Sequence, residues 1–106
     1  MPKYLATASY SAEGLRGLQK DKASGRVRAA TAAIEAAGGK VECLYFALGE
    51  DDVVGIVDFP DNVSAASFSL AVSASGLVGT RTTALMTVEE VDRALAKNVN
   101  YRAPGG

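Results

Sequence analysis

Two neighbouring runs of the chain are apolar on both of their faces. In Val41–Leu48, alternate residues place Val41, Cys43, Tyr45 and Ala47 on one side and Leu44, Phe46 and Leu48 on the other. In Asp52–Phe59, Val53, Val57 and Phe59 oppose Val54 and Ile56. Strand side chains alternate between faces, so both runs predict strands buried from two sides. The acidic turn Gly49–Glu50–Asp51 between them is short enough for a hairpin. Parallel neighbours need a long crossover, so antiparallel pairing is expected.

The other elements follow from periodicity and end signals. Lys3–Tyr10 reads as a strand with Tyr4, Ala6, Ala8 and Tyr10 on one face. Ser11 is placed to cap a helix, with Glu13 in its first turn near the positive end of the helix dipole. The stretch Lys20–Gly25 interrupts that helix, and a second helical segment over Arg26–Ala37 carries the stripe Val27, Ala30, Ile34 and Ala37. Gly38-Gly39 ends it, because glycine adopts the left-handed terminal conformation without a Cβ clash. Pro60-Asp61 closes the third strand and opens a helix to about Ser75, stopped by Gly76. That helix has two apolar sides: Val63, Ala66, Leu70 and Ala74 point one way, and Ala65, Phe68 and Val72 nearly the opposite way. A surface helix normally has one such stripe, so the second is expected to lie under the terminal helix or under another subunit. Leu77–Met86 predicts a fourth strand. Thr87-Val88-Glu89-Glu90 fits a capping box and begins a last helix with Val88, Val91 and Leu95 on one side. Residues 1–97 form one expected domain and residues 98–106 a tail.

The predicted order is strand, helix, strand, strand, helix, strand, then an extra C-terminal helix. Two such halves make an α+β, ferredoxin-like βαββαβ antiparallel sheet with both main helices on one face. The other face would then expose leucine, phenylalanine and valine, a larger patch than a monomer tolerates. Two sheets stacked face to face cover it, which predicts a homo-oligomer of the dimeric α/β barrel type.

Composition narrows the chemistry. An apolar fraction of 48%, a charged fraction of 22% and a net charge of −1 describe a globular chain without the bulk charge that drives nucleic-acid or membrane-surface binding. No stretch reaches the length of a membrane span, no apolar leader follows Met1-Pro2-Lys3, and a cytoplasmic setting is expected. The single cysteine, Cys43, sits among apolar neighbours and reads as a packing residue or, alternatively, a reactive thiol. There is no histidine, which removes Ser-His-Asp and Cys-His catalysis and the usual zinc sites.

Several residues remain as candidates. Glu50, Asp51 and Asp52, with Asp58 and Asp61 nearby, resemble a hard-cation cluster, but a hairpin turn wants the same residues for conformational reasons; no metal and no cofactor are expected. Arg16, Lys20, Lys22, Arg26 and Arg28 surround the helix break at Ser24-Gly25, which suits either an anion or a solvated, mobile segment. Asp58 is either a pocket carboxylate or a strand-end residue facing water. Arg81, mid-strand among small residues, needs solvent, a carboxylate or a ligand. Arg81, Asp58, Tyr10, Tyr45 and Tyr4 are therefore the ligand-binding candidates, the expected ligand being a small organic molecule or an anion; the tyrosines have packing as their alternative.

The blocks Met-Pro-Lys-Tyr, Ser11-Ala-Glu-Gly14-Leu15, Gly38-Gly39-Lys40, Tyr45–Glu50, Asp52-Val53-Val54, Asp58–Asp61, Ala74-Ser75-Gly76 and Thr80–Thr83 together resemble the GYD domain family, small bacterial and archaeal proteins of uncharacterised function. The likeness runs from Pro2 to about Lys97. Gly49 and Asp52 match the Gly…Tyr-Asp motif of the family's name, while Asp51 stands where tyrosine is expected. The resemblance implies a ferredoxin-like protein of the dimeric-barrel type and supplies no catalytic residues. Three functions are consistent with these readings: a homo-oligomeric small-molecule-binding or structural protein; a small cofactor-free isomerase, cyclase or monooxygenase; and a regulatory protein-interaction module.

Overall fold

Each predicted strand and helix is present in the computed structural model, which describes residues 1–106. Strand β1 (Lys3–Tyr10) leads into α1 (Ala12–Ala36), β2 (Lys40–Phe46) and β3 (Val53–Asp58) form the hairpin, α2 (Asn62–Ala74) crosses to β4 (Val78–Ala84), and α3 (Val88–Ala96) follows. The four strands make one antiparallel sheet in the order β2-β3-β1-β4. This α+β arrangement has the ferredoxin-like element order.

The chain signals at the helix ends operate as expected. Ser11 accepts the Gly14 amide at 3.1 Å and Asp61 accepts the Ser64 amide at 2.8 Å. Gly38 ends α1 with φ 84°, and the Gly39 amide reaches back to the Ile34 carbonyl at 2.9 Å. The break expected near Lys20–Gly25 is a kink: Lys22 has φ 66° and ψ 165°, a conformation that an L side chain rarely adopts. α1 is therefore two helical segments that meet at an angle.

Both main helices lie on one face of the sheet. The core there consists of Tyr4, Val57, Phe59, Ile34 and Ala65, with Ala6, Ala37, Val41 and Phe68 packed around it. The Phe59 ring meets Tyr4 edge-on at 5.7 Å and Phe68 at 5.9 Å. The inward stripe of α2 is Ala65, Phe68 and Val72, as the pattern predicts. Its outward stripe is uncovered: Val63 is 78% and Leu70 70% exposed. α3 does not close over it. Of the two covers expected, the terminal helix is not the one: α3 makes no extensive contact with α2, and the last strand-like bond before it is from the Leu85 amide to the Lys3 carbonyl.

A second correction concerns β2. The pairs Val41↔Val57 and Cys43↔Ile56 leave Glu42 as an extra residue, a β-bulge. A bulge shifts side-chain alternation by one. Val41 therefore shares the helix face with Leu44 and Phe46 instead of pairing with Cys43 and Tyr45. Leu48, expected within the strand, lies fully exposed at the hairpin tip.

The molecule is elongated. Its radius of gyration is 17.0 Å, whereas a compact chain of this length has about 13 Å. No helix is long and apolar enough to cross a membrane.

Candidate functional site

The sheet separates the five candidate residues into two groups. Tyr4 and Tyr10 occupy the helix face of β1, while Asp58, Arg81 and Tyr45 belong to the opposite, open face, so the five do not line a single cavity. The strand registers fix this: Tyr4 opposes Val57, Asp58 opposes Lys3, Arg81 opposes Thr7 and Tyr45 opposes Val54.

On the open face, charged pairs sit at the two ends of an apolar centre. At one end Lys3 Nζ donates to Asp58 Oδ1 at 3.0 Å and to Glu42 Oε1 at 3.2 Å. The bond to Asp58, then that to Glu42, holds the Lys3 amine above its ordinary value. The bulge matters here, because it keeps Glu42 within reach of Lys3. At the other end Arg81 Nη2 donates to Asp51 Oδ1 at 2.7 Å. Between them run Leu5, Ile56, Val54 and Cys43, with Tyr45 alongside, 69% exposed. Thr7, Ser9, Glu50, Asp51, Ser73, Gly79, Thr80 and Arg81 also frame a shallow polar groove. An anion entering it would compete with Asp51 for the guanidinium.

The acidic residues of the hairpin do not converge. Asp51 holds Arg81, Asp52 accepts the Tyr10 amide at 2.8 Å, Asp58 holds Lys3, and Asp61 caps α2. The bond from the Ser64 amide keeps the Asp61 carboxyl below the usual aspartate value. No group of three or more carboxylates or thiols has metal-binding geometry.

On the helix face α1 leans over β2 and α2 over β4, leaving a gap above the centre of the sheet. The gap is a partly open cavity of about 140 Å³. Ala6 and Ala8 of β1 form its floor, Val27, Ala30 and Ala33 of α1 one wall, and Phe68 and Val72 of α2 the other. Small residues create it. Gly55 lies beside Ala6 in the register, and a Cβ there would come within 2.7 Å of Leu44 Cδ1 and 2.9 Å of the Cys43 carbonyl. Polar groups are few: Tyr10, Thr7, Thr80 and Arg26. Arg26 is the only one of the five basic residues near the helix break that lines the cavity, and its sole carboxylate neighbour, Asp21, stands 3.8 Å away. Tyr4 lies outside the cavity, its hydroxyl donating to Asn62 Oδ1 at 2.7 Å.

Of the candidates, Tyr10 alone lines this cavity. The alanine-rich segment Ala29–Ala33 was the available signal for the rest. Its meaning depends on which small residues of the sheet face it, which periodicity in one helix does not reveal.

The model of the GYD domain family matches residues 4–95, from β1 into the last turn of α3. The chain belongs to the GYD domain family. No curated protein matches it.

Proposed function

We propose that this GYD-domain protein is a self-associating small-molecule-binding protein whose ligand occupies the cavity between α1, α2 and the sheet. The observation that carries this reading is the cavity itself: about 140 Å³, apolar nearly throughout, with one cation, Arg26, on its lining. Apolar space of this size accepts a single small ring, as a benzene-sized engineered cavity of ~150 Å³ does. Arg26 adds a reason to expect a negative end on the ligand, since guanidinium groups recognise carboxylates well. The ligand class is therefore a small aromatic or branched aliphatic carboxylic acid.

Binding is favoured over turnover by what lines the space. Tyr10 and Arg26 are its only titratable members. General acid–base catalysis needs a proton carrier within reach of the bound substrate, and no carboxylate lines the cavity. The isomerase, cyclase and monooxygenase alternatives would have to use Tyr10 alone.

Self-association is supported by the open face. Leu5, Val54, Ile56 and Cys43, each half-buried, form an apolar strip there on the face away from the two main helices. A second sheet stacked on it, in the dimeric α/β barrel manner, would remove it from water.

The cavity is tested by titrating the protein with benzoate and following amide shifts by NMR. Saturable shifts at Ala6, Ala30 and Val72, lost in Ala30→Phe with the fold retained, are expected. Arg26→Gln should weaken benzoate at least tenfold while changing the affinity for toluene little. Absence of saturable shifts for both probes rejects the cavity as a ligand site.

A further inference from the structure

The last helix is a nine-residue amphipathic segment that makes no extensive packing contact with any other element of its own chain and has no buried residue. Its apolar residues Val88, Val91 and Leu95 recur at i, i+3 and i+7, and Val88 and Leu95 are 75% and 77% exposed. Isolated helices shorter than ~12 residues are marginal in water. Yet α3 begins with a complete capping box: the Glu90 amide donates to Thr87 Oγ1 at 3.1 Å and the Thr87 amide to Glu90 Oε1 at 2.8 Å. The segment is built as a helix and lacks the surface that would stabilise one.

The same molecule holds a matching surface. The outward stripe of α2 is Val63, Ala66 and Leu70, again i, i+3 and i+7 and again exposed. Each stripe spans about 10 Å at 1.5 Å rise per residue. Ala66 and Leu70 border a shallow groove against the β4 edge, completed by Thr82 and Ala84. The flanks of α2 are serine and alanine and carry no charge, so the helix that lies there can approach closely.

We infer that α3 of one copy of this chain packs along the α2 stripe of a second copy, so that the C-terminal segment is exchanged between protomers. Surface area selects a second copy as the occupant. The chain exposes 7382 Å², whereas a compact monomer of its 10.9 kDa mass exposes about 5,600 Å². The excess of about 1,800 Å² is more than the ~800 Å² that each partner contributes to a standard interface. The α3 stripe accounts for part of that excess on one copy and the α2 stripe for part on the other, and exchange buries both at once. This inference deepens the self-association proposed above by naming a contact made by other residues than those of the open sheet face.

Cysteine cross-linking tests it. In a Cys43→Ser background, one preparation carries Ala66→Cys and another Val91→Cys, the middle residues of the two stripes, which meet whether the helices run parallel or antiparallel. Mixed under mild oxidation, the two single variants are expected to yield a 66–91 disulfide dimer at twice the chain mass, identified by peptide mapping. In the double variant, a monomer with an internal 66–91 disulfide means that α3 folds back on its own α2 and overturns the proposal, as does absence of the 66–91 link. Light scattering supplies a second readout: truncation before Thr87 is expected to lower the mass of the assembly, and an unchanged mass overturns the exchange. The sheet-stacking reading fails separately, if Ile56→Lys leaves the assembly mass unaltered while the 66–91 link still forms.

Discussion

The Tyr4 hydroxyl donates to Asn62 Oδ1 at 2.7 Å, joining the first strand to the first residue of α2 across 58 positions of sequence. The Tyr4 ring is also part of the buried core, against Phe59. One side chain thus packs the sheet and fixes where the second helix begins. Tyr4→Phe keeps the ring and removes the bond. A loss of about 1 kcal/mol is expected, measured by urea denaturation, and Tyr4→Phe combined with Asn62→Ala should cost less than the sum of the single changes. Strict additivity would show that the bond contributes nothing to the fold.

Gly55 sits in the central strand β3 where a Cβ would meet both Leu44 and the Cys43 backbone. Backbone cannot move aside as a flexible side chain can. Gly55→Ala is expected to destabilise the protein by about 1–3 kcal/mol and to disturb the β2–β3 pairing, visible as faster amide exchange at Val54 and Ile56. A neutral result would mean that β2 shifts freely.

The kink in α1 leaves Lys22 at φ 66°. Glycine occupies that region without the steric penalty. Lys22→Gly should therefore stabilise the protein, by about 1 kcal/mol, read as a rise in Tm. A fall would indicate that the lysine side chain makes a compensating contact.

Lys22 and Gly55 also mark how far local pattern reaches. The break in α1 was legible, because Lys20–Gly25 interrupts an apolar stripe with charge, serine and glycine. The residue that takes up the bend was not, since no local rule selects Lys22 over Ser24 or Gly25. Of the ligand candidates, Tyr10 could be placed on the same face as Tyr4, Ala6 and Ala8 from alternation alone. The cavity it borders could not, because α1 and α2 approach the sheet at opposite edges only once folded.

The open face carries Ile56 between Leu5 and Cys43 on its neighbouring strands. A lysine at its centre would have to be buried unpaired in any stacked pair of sheets, at a cost of several kcal/mol. Ile56→Lys is expected to halve the assembly mass by light scattering if the sheets stack, with helical content unchanged by circular dichroism.

Acid should loosen α3. The Thr87 amide bond holds the Glu90 carboxyl below the usual glutamate value, with the Thr87 side chain and then Arg93 assisting. A group whose folded value is depressed contributes stability above its unfolded value and loses it as pH falls through the folded one. The Thr87 amide proton should therefore titrate with a midpoint below that of a glutamate in an unstructured peptide. Glu90→Gln should abolish that step. A Thr87 shift that does not change with acid pH would mean that the capping box is open in solution.

Residue type and spacing alone determined the element order, the caps at Ser11, Asp61 and Thr87, the stop at Gly38 and the grouping of Tyr4, Ala6, Ala8 and Tyr10 on one face of β1. Those are local matters: a hydroxyl within reach of an amide three residues on, or a period of two or 3.6. Tertiary structure decided the rest. The bulge at Glu42 turned Val41 toward the helices, because an extra residue in a ladder exists only with respect to the partner strand. The separation of Tyr10 from Arg81 and Asp58 came from the sheet standing between them. The open stripes of α2 and α3 were each visible in the chain, but that α3 leaves its own α2 bare depends on where the backbone turns after Leu85, and periodicity holds no information about direction in space.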